Sequence, residues 1–234
     1  MVEHAAITDV GRHRAGNEDS MLEDPPLFVV ADGMGGAQGG EVASGLAVET
    51  LGELPPQDGQ VERELTEAIA EANRRIHTQA EADRDLNGMG TTVTAAFVHE
   101  GQITIGHVGD SRVYRYRDGE MAQLTDDHSL VAELERQGKL TAAEARVHPQ
   151  RSMILRALGI EADVEVDTYC FTGQPGDVFL LCSDGLCGLV HDEVMGEVLE
   201  SAESLDQAAR ELVDLANLSG GPDNITALLF RLGA

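Results

Sequence analysis

Four aspartates stand at the ends of strongly apolar runs, each beside a small or turn-forming residue: Asp32 after LFVVA, Asp110 after ITIGHVG, Asp184 after VFLLCS and Asp223 before ITALLFRL. Each one alone is typical of a turn, because its side chain accepts hydrogen bonds from nearby backbone amides. Carboxylates at strand ends on one edge of a sheet can, however, share a cavity, where they raise one another's pKa unless a cation neutralises them. Oxygen ligands of this kind suit Mg²⁺ or Mn²⁺. The four aspartates together therefore predict a divalent-cation site.

Residues next to these aspartates could allow the site to bind a phosphoryl group. Gly33 follows Asp32 directly, and a glycine there lets a carbonyl oxygen or a water approach the backbone without a clash at Cβ. Arg14 lies four residues before Glu18 and five before Asp19. Its guanidinium could hold a phosphoryl group through two parallel hydrogen bonds, although a surface ion pair with Glu18 explains the same spacing. The sequence has no P-loop, HExxH or GxSxG motif, so metal-assisted water activation is a better hypothesis than covalent catalysis.

Apolar periodicity predicts the elements that must hold these residues. Short β-rich runs predict strands over 27–31, 92–98, 103–108, 112–116, 177–182 and 225–232, with HEGQ and RDGE as hairpin turns. Helical patterns cover 41–54, 61–83, 129–137, 141–147, 191–200 and 204–218. Because helix pairs alternate with blocks of strands, the order favours an α+β layered domain over a doubly wound parallel sheet. The short linker LPPQDGQ (54–60) does not divide the chain, and we expect one domain over 1–234.

The composition limits the partners that this protein can have. With 42 acidic and 16 basic residues the formal net charge is −26, which repels phosphate backbones and anionic lipids. We therefore expect no nucleic-acid or membrane partner, and the strong net charge favours a monomer. No apolar run approaches the ~20 residues needed to span a bilayer, and the N-terminus lacks the apolar stretch of a secretory signal. Together with three cysteines that form no CxxC motif, these features predict a cytoplasmic protein.

Seven motifs resemble those of a known family: RAGNEDS, VVADGMGGAQGGEVAS, GMGTT, GHVGDSRVY, DDHSL, LLCSDGL and GPDNIT. Their order is similar to that of the metal-dependent protein phosphatases of type 2C, and most of all to the bacterial serine/threonine phosphatases of that group. The resemblance extends from Asp9 to about Leu232. It implies a four-layer α-β-β-α sandwich of two antiparallel sheets flanked by helix pairs, which agrees with the α+β prediction. It also implies that residues 126 to about 160 form a flap beside the site.

The resemblance assigns ligands for two Mn²⁺ or Mg²⁺ ions. Asp32 would bridge the two ions, and Gly33 would offer its carbonyl oxygen to the second. Asp184 and Asp223 would bind the first ion. Asp110, together with Asp184, would form a weaker third metal site of the kind known from bacterial members.

The resemblance also implies roles around the metals. Arg14 would hold the substrate phosphate, so that the expected catalytic residues are Arg14, Asp32, Asp184 and Asp223. Glu18 and Asp19 would orient water molecules, and Asn224 would support the ligands. A water activated by the metals would then hydrolyse phosphoserine or phosphothreonine in proteins without a phosphoenzyme intermediate. The expected partners are phosphorylated proteins made by a serine/threonine kinase, as in bacterial signalling.

Two positions depart from the patterns of related phosphatases. Met34 stands where many eukaryotic members carry a histidine, and Ala37 stands where some bacterial members carry one. Neither side chain can donate a proton to the leaving group. A metal-bound water or a flap histidine, His128 or His148, would have to do so, although both histidines are equally compatible with ordinary loop positions.

Two alternatives remain beside the phosphatase hypothesis. A non-catalytic phosphoprotein-binding module of the same fold would be expected to lose ligand aspartates, whereas all four are present here. A hydrolase of small phosphoesters would share the same chemistry, and the sequence does not distinguish it from a protein phosphatase.

Overall fold

The computed structural model describes residues 2–35, 39–53 and 60–233. Its strands are β1 (Glu3–Asp9), β2 (Asp19–Asp24), β3 (Leu27–Met34), β4 (Gly90–Thr91), β5 (Val93–His99), β6 (Gln102–Val108), β7 (Arg112–Arg117), β8 (Glu120–Gln123), β9 (Asp167–Thr172), β10 (Val178–Cys182) and β11 (Ile225–Arg231). Its helices are α1 (Gly39–Gly52), α2 (Val61–Ala82), α3 (Leu130–Arg136), α4 (Ala142–Val147), α5 (Asp184–Cys187), α6 (Asp192–Ser201) and α7 (Leu205–Leu218), with a 3₁₀ turn at Arg84–Leu86. Most of the predicted linker (54–59) and Ala37 lie outside the described residues.

The strands form two antiparallel sheets. The first has the order β1-β11-β10-β7-β8, and the second has the order β2-β3-β5-β6-β9, with β4 added to β3. Helices α6 and α7 pack against the first sheet, while α1 and α2 pack against the second. The result is the predicted α+β fold, a four-layer α-β-β-α sandwich. Within the described ranges, no helix combines the length and the apolarity needed to cross a membrane.

Three apolar layers hold the four structural layers together. Between the sheets, the rings of Phe28 and Phe179 stack on opposite sides of Phe230, with centroid distances of 4.6 and 4.9 Å. All three side chains are fully buried, which makes this stack the centre of the sheet-to-sheet contact. Two further apolar layers lie under the helix pairs, represented by Ile69 on α2 and Leu212 on α7.

Both predicted hairpin turns are present. HEGQ joins β5 to β6, and its central residues Glu100 and Gly101 have φ of 47° and 76°. RDGE joins β7 to β8, with φ of 51° at Asp118 and 83° at Gly119. Positive φ at both central residues is the requirement of the two-residue hairpin turn that matches the right-handed twist of strands.

One strand prediction was wrong at a position that matters for function. We expected the strand 27–31 to stop before Asp32, but β3 continues to Met34. The extension is possible because Asp32 pairs with Asp19 of β2 on one side, while Gly33 and Met34 pair with β4 on the other. Asp32 is therefore fixed within a strand, rather than in the turn that follows it.

Candidate metal and phosphate site

Two threonines of the GMGTT motif fix the backbone of Asp32. The Asp32 amide donates to Thr92 Oγ1 at 2.9 Å, and the Asp32 carbonyl oxygen accepts from the Thr92 amide and from Thr91 Oγ1, each at 2.9 Å. Thr92 Oγ1 also hydrogen-bonds to Ser111 Oγ at 2.8 Å, which ties this strand to the loop that carries Asp110. The aspartate thus projects from backbone that is held on both of its polar groups.

The predicted aspartates lie close enough to act on one another electrostatically. Burial raises the pKa of Asp32 well above its ordinary range, and Asp19, Asp184, Asp110 and Asp223 raise it further. Burial also raises the pKa of Asp184, with Asp223 adding to the effect and a hydrogen bond from Asp32 opposing it. The structure therefore brings together carboxylates that are far apart in sequence and come from both sheets.

The side chain of Asp19, for which the sequence predicted a supporting role in orienting water, is buried and held by two hydrogen bonds. Its side chain is 7% exposed, and its Oδ2 atom accepts hydrogen bonds from Thr226 Oγ1 at 2.6 Å and Ser183 Oγ at 2.8 Å. Its Oδ1 atom is buried and has no hydrogen-bond partner. Burial raises the pKa of Asp19 to about 6, against the two hydrogen bonds, which lower it. Sequence reasoning did not find Ser183 and Thr226, although each lies within three residues of a predicted ligand.

Asp110 follows a tight turn at the end of β6. Gly109 has φ of +116°, and a Cβ there would lie 2.6 Å from the Thr92 side chain, so this turn requires glycine. Asp110 is 6% exposed, and its Oδ1 atom is buried without a hydrogen-bond partner. Burial, followed by the charge of Asp184, raises the pKa of Asp110 to about 8. The Oδ1 atom of Asp110, which has no hydrogen-bond partner, is therefore available as a ligand for a cation.

Gly33 lies where no side chain would fit. A Cβ built there would come within 2.1 Å of the Gly40 carbonyl oxygen and 2.5 Å of the Glu18 carbonyl oxygen. Because those atoms belong to the backbone, they could not move aside for a side chain without displacing the chain. The Gly33 amide donates to the Glu18 carbonyl oxygen at 3.1 Å. Gly33 therefore brings the backbone of three segments into contact at the site.

Arg14 lies at the same site and is paired mainly with a predicted ligand. Its guanidinium donates to Asp223 Oδ2 at 2.7 Å and to Glu18 Oε2 at 3.4 Å. Its side chain is 46% exposed, so donors remain accessible from solvent. A surface ion pair with Glu18 thus explains only the weaker of its two contacts.

Asn224 holds the loop that carries Arg14 and Glu18. Its side-chain oxygen accepts from the Glu18 amide at 2.8 Å, and its amide nitrogen donates to the carbonyl oxygens of Val10 and Gly16, both at 3.0 Å. These three bonds join the residue after Asp223 to a loop more than 200 positions away in sequence. The supporting position predicted for Asn224 is thus occupied by a side chain that uses all its polar atoms.

The donor set fits a hard divalent cation. The unpartnered oxygens of Asp19 and Asp110 are buried carboxylate atoms, and the nearby ligand candidates supply oxygen alone. Within the described ranges, no set of three or more His, Cys, Asp or Glu side chains is spaced to hold a metal ion. An ion here would therefore bind few side chains and complete its coordination with carbonyl oxygen and water, as Mg²⁺ commonly does.

The two flap histidines make other contacts. His128 Nδ1 accepts from the Gly109 amide at 3.0 Å, and its Nε2 atom lies 3.1 Å from Asp167 Oδ2. His148 Nδ1 accepts from the Gln150 amide at 3.2 Å, within its own turn. Both nitrogens of His128 are thus engaged with groups other than the aspartate cluster, so this structure gives no support to His128 as a proton donor.

Comparison with known proteins identifies the family. The family model for protein phosphatase 2C matches residues 15–228 of the chain. The chain belongs to the protein phosphatase 2C family. The serine/threonine phosphatase stp of Listeria innocua is 44% identical to it over 233 residues, which are 95% of this chain and 92% of that relative. This confirms the resemblance seen in the sequence, and with it the prediction of an enzyme of the protein-serine/threonine phosphatase class.

Solved structures agree with this family assignment. The crystal structure of the Mycobacterium tuberculosis serine/threonine phosphatase PstP/Ppp is 41% identical and superposes with a TM-score of 0.95, over 100% of this chain and 99% of that one. The catalytic domain of the phosphatase PstP in complex with two manganese ions is 38% identical, with a TM-score of 0.93 over the same shares of the two chains. The predicted four-layer fold is confirmed by both neighbours.

Proposed function

We propose that this chain is a metal-dependent phosphatase that hydrolyses phosphoserine and phosphothreonine in proteins. The observation that carries the proposal is the convergence of Asp32 with the carboxyl groups of Asp19, Asp110, Asp184 and Asp223. Such a cluster is electrostatically costly by itself and becomes favourable when cations bind. The PstP complex with two manganese ions supports a two-metal site in this family.

Within this proposal, Asp32, Asp184 and Asp223 hold the two ions through carboxylate oxygens, and Gly33 does so through its carbonyl oxygen. Asp110 is the candidate ligand of a third ion. Bound Mn²⁺ or Mg²⁺ supplies water activation and neutralises charge at the phosphoryl group. The hydrogen bonds of Thr91 and Thr92 to the Asp32 backbone keep the Asp32 carboxylate in place. Asp19 would orient water molecules bound to the ions.

Arg14 holds the phosphoryl group of the substrate. Its guanidinium already lies 2.7 Å from Asp223, so a phosphate held there would lie next to the cluster. Its exposed donors can bind two phosphoryl oxygens at once. Because the chain offers no recognisable nucleophile motif, we expect direct attack by water without a phosphoenzyme intermediate.

The wider setting follows from composition and family. We propose that residues 1–234 form one catalytic domain, with the flap at about 126–160 beside the site. We further propose a cytoplasmic monomer that acts on the products of a serine/threonine kinase. The net charge of −26 supports the exclusion of nucleic acid and anionic membranes as partners.

Hydrolysis of a neutral phosphothreonine peptide, measured with Mn²⁺, with Mg²⁺ and with EDTA, tests the proposal. Asp184→Asn should abolish activity, while Asp163→Asn, which makes the same change at an exposed position, should keep it. Activity that survives EDTA would overturn the metal-dependent mechanism. A folded, Mn²⁺-binding protein without activity would favour the phosphoprotein-binding module, and preferential turnover of nucleotides would favour the small-phosphoester hydrolase.

A further inference from the structure

A cleft of about 740 Å³ opens beside the aspartate cluster. It is lined by residues of α3 and α4 in the predicted flap and by residues 187–192, which run from the end of α5 to the start of α6. Asp110 and Asp184 also line it. We call this space the flap cleft. Its volume lies within the ~300–1,000 Å³ typical of ligand pockets, so it can take more than a phosphate group.

Two arginines that line the flap cleft lack a carboxylate partner. In the described part of the chain, no acidic side chain lies within ion-pair distance of Arg146 or Arg151, and both residues are exposed. Arg146 makes a hydrogen bond with His191 Nδ1, which is not a carboxylate oxygen. In a chain with 42 acidic and 16 basic residues, two neighbouring guanidiniums without a carboxylate partner are unusual. They can accept an anionic group from a ligand.

The other charged residues of the flap cleft are mostly engaged. Arg112 donates to both oxygens of Asp127, at 2.7–3.1 Å. Asp192 accepts from the Tyr114 hydroxyl at 3.4 Å and lies in the first turn of α6, where the positive end of the helix stabilises a carboxylate. Outside the aspartate cluster, Glu135 on α3 is the remaining carboxylate and offsets part of the arginine charge. Beside that cluster, Arg146 and Arg151 together can therefore accommodate one added negative charge.

Exposed apolar side chains lie on the same flap segment. Val147, which lines the cleft, is 79% exposed, and Met153, Leu155 and Ile160, which follow it in the same segment, are 44%, 55% and 50% exposed. The exposed Val147 side chain offers the cleft an apolar contact for another polypeptide. Continuity with Asp184 indicates which polypeptide this is, because a phosphorylated residue held at the cluster must extend its flanking residues into the adjoining space.

We propose that the flap cleft binds the substrate polypeptide beside its phosphorylated residue, and that Arg146 and Arg151 select an acidic side chain there. The inference rests on the proposed phosphatase function and deepens it by naming a class of substrate. A carboxylate fits better than a second phosphate. The phosphate carries nearly twice the negative charge, and Glu135, which also lines the cleft, would repel it more strongly.

Turnover of matched phosphothreonine peptides tests this selection. The series carries Glu, Gln, Lys or a second phosphothreonine at each flanking position in turn. The control substrate is p-nitrophenyl phosphate, which has no flanking residues to extend from the aspartate cluster into the cleft. For wild type, kcat/KM should be about three- to tenfold higher for one Glu peptide than for its Gln counterpart, the net effect of one ordinary hydrogen bond between groups that remain partly exposed to water. The preference should weaken at high salt because exposed charges are screened.

Substitution of the arginines and of Glu135 in the flap cleft should change the preference for the Glu peptide in opposite directions. Arg146→Ala and Arg151→Ala should reduce it and leave p-nitrophenyl phosphate turnover unchanged, whereas Glu135→Gln should increase it. Equal turnover of Glu, Gln and Lys peptides by wild type would overturn the proposal, as would a preference that survives in the double arginine variant. A preference for the doubly phosphorylated peptide alone would overturn the choice of a carboxylate. No turnover of any peptide or of p-nitrophenyl phosphate would instead contradict the phosphatase function itself.

Discussion

Removal of divalent cations should make the folded protein less stable as the pH rises. The reason is the set of buried carboxyl groups whose pKa values are raised in the folded state. Burial and neighbouring charge raise the pKa of Asp110 from 3.8 to about 8, and burial raises that of Asp19 from 3.8 to about 6. In the unfolded chain both groups return to their ordinary pKa, because they are then surrounded by water.

The sign and the size of the effect follow from proton counting. Between about pH 6 and pH 8, the folded state keeps a proton on Asp110 that the unfolded chain has lost. The folded state then binds more protons, so the free energy of unfolding falls as the pH rises, by about 1.4 kcal/mol per pH unit for one group. From pH 6.0 to 7.5, Asp110 alone should remove about 2 kcal/mol. Asp19 adds a similar slope at lower pH, between about pH 4 and 6.

Urea unfolding in EDTA across this pH range measures the slope directly. Asp110→Asn should reduce the slope, since the amide cannot ionise, and Asp32, whose pKa burial also raises, should account for a remaining part of it. The exposed control Asp163→Asn should leave the slope unchanged. In saturating Mn²⁺ the stability should no longer fall with pH, because the ionised carboxylates then bind the cation. A free energy of unfolding in EDTA that is constant or rises between pH 6.0 and 7.5 would refute the argument that these carboxyl groups are buried without compensation.

Three further predictions concern single side chains. Arg14→Ala should raise KM for a phosphopeptide more than it lowers kcat, since the guanidinium binds phosphate in the ground state as well as the transition state; steady-state kinetics check this. Thr92→Val should lower the free energy of unfolding by about 1–3 kcal/mol, because the Asp32 amide loses its acceptor, and Thr92→Ser should restore most of it. His128→Ala should cost a similar ~1–3 kcal/mol by leaving the buried Gly109 amide unpaired, whereas His128→Asn, which can still accept that hydrogen bond, should cost less; denaturation of both variants decides.

The interior of the fold could be predicted from sequence, but the edges of its sheets could not. Central strands such as β10 and β11 pack on both faces and so read as continuous apolar runs. The missed strands are the two-residue β4 and the four outer strands of the two sheets, β1, β2, β8 and β9. With a neighbour on one side only, they carry sequences such as DSMLED and EMAQ, in which apolar alternation is too short to detect.

In the candidate site, too, some residues could be predicted from the sequence and others could not. The aspartates could be proposed from their positions after apolar runs, because a carboxylate at the end of a core strand has a local signature. The hydrogen-bond partners of Asp19 have no local sequence signature, because Ser183 and Thr226 lie 164 and 207 positions away in sequence. Hydroxyl groups at such distances become partners only after the two sheets have packed, so residue type and spacing do not predict them.

Packing of the two sheets should therefore be linked to metal binding. Asp32 lies within β3 and Asp110 follows β6, both in the second sheet, whereas Asp184 and Asp223 adjoin β10 and β11 of the first. Because the unfolded chain has no such cluster, each tenfold rise of free Mn²⁺ above the dissociation constant should add about 1.4 kcal/mol to the free energy of unfolding for each bound ion. Unfolding curves over a Mn²⁺ series measure this increment, and Asp184→Asn should reduce it. Phe230→Leu, in the stack between the sheets, should lower stability at every Mn²⁺ concentration and keep the increment per tenfold. An increment that is absent in wild type would mean that the carboxylates do not act as one cation site.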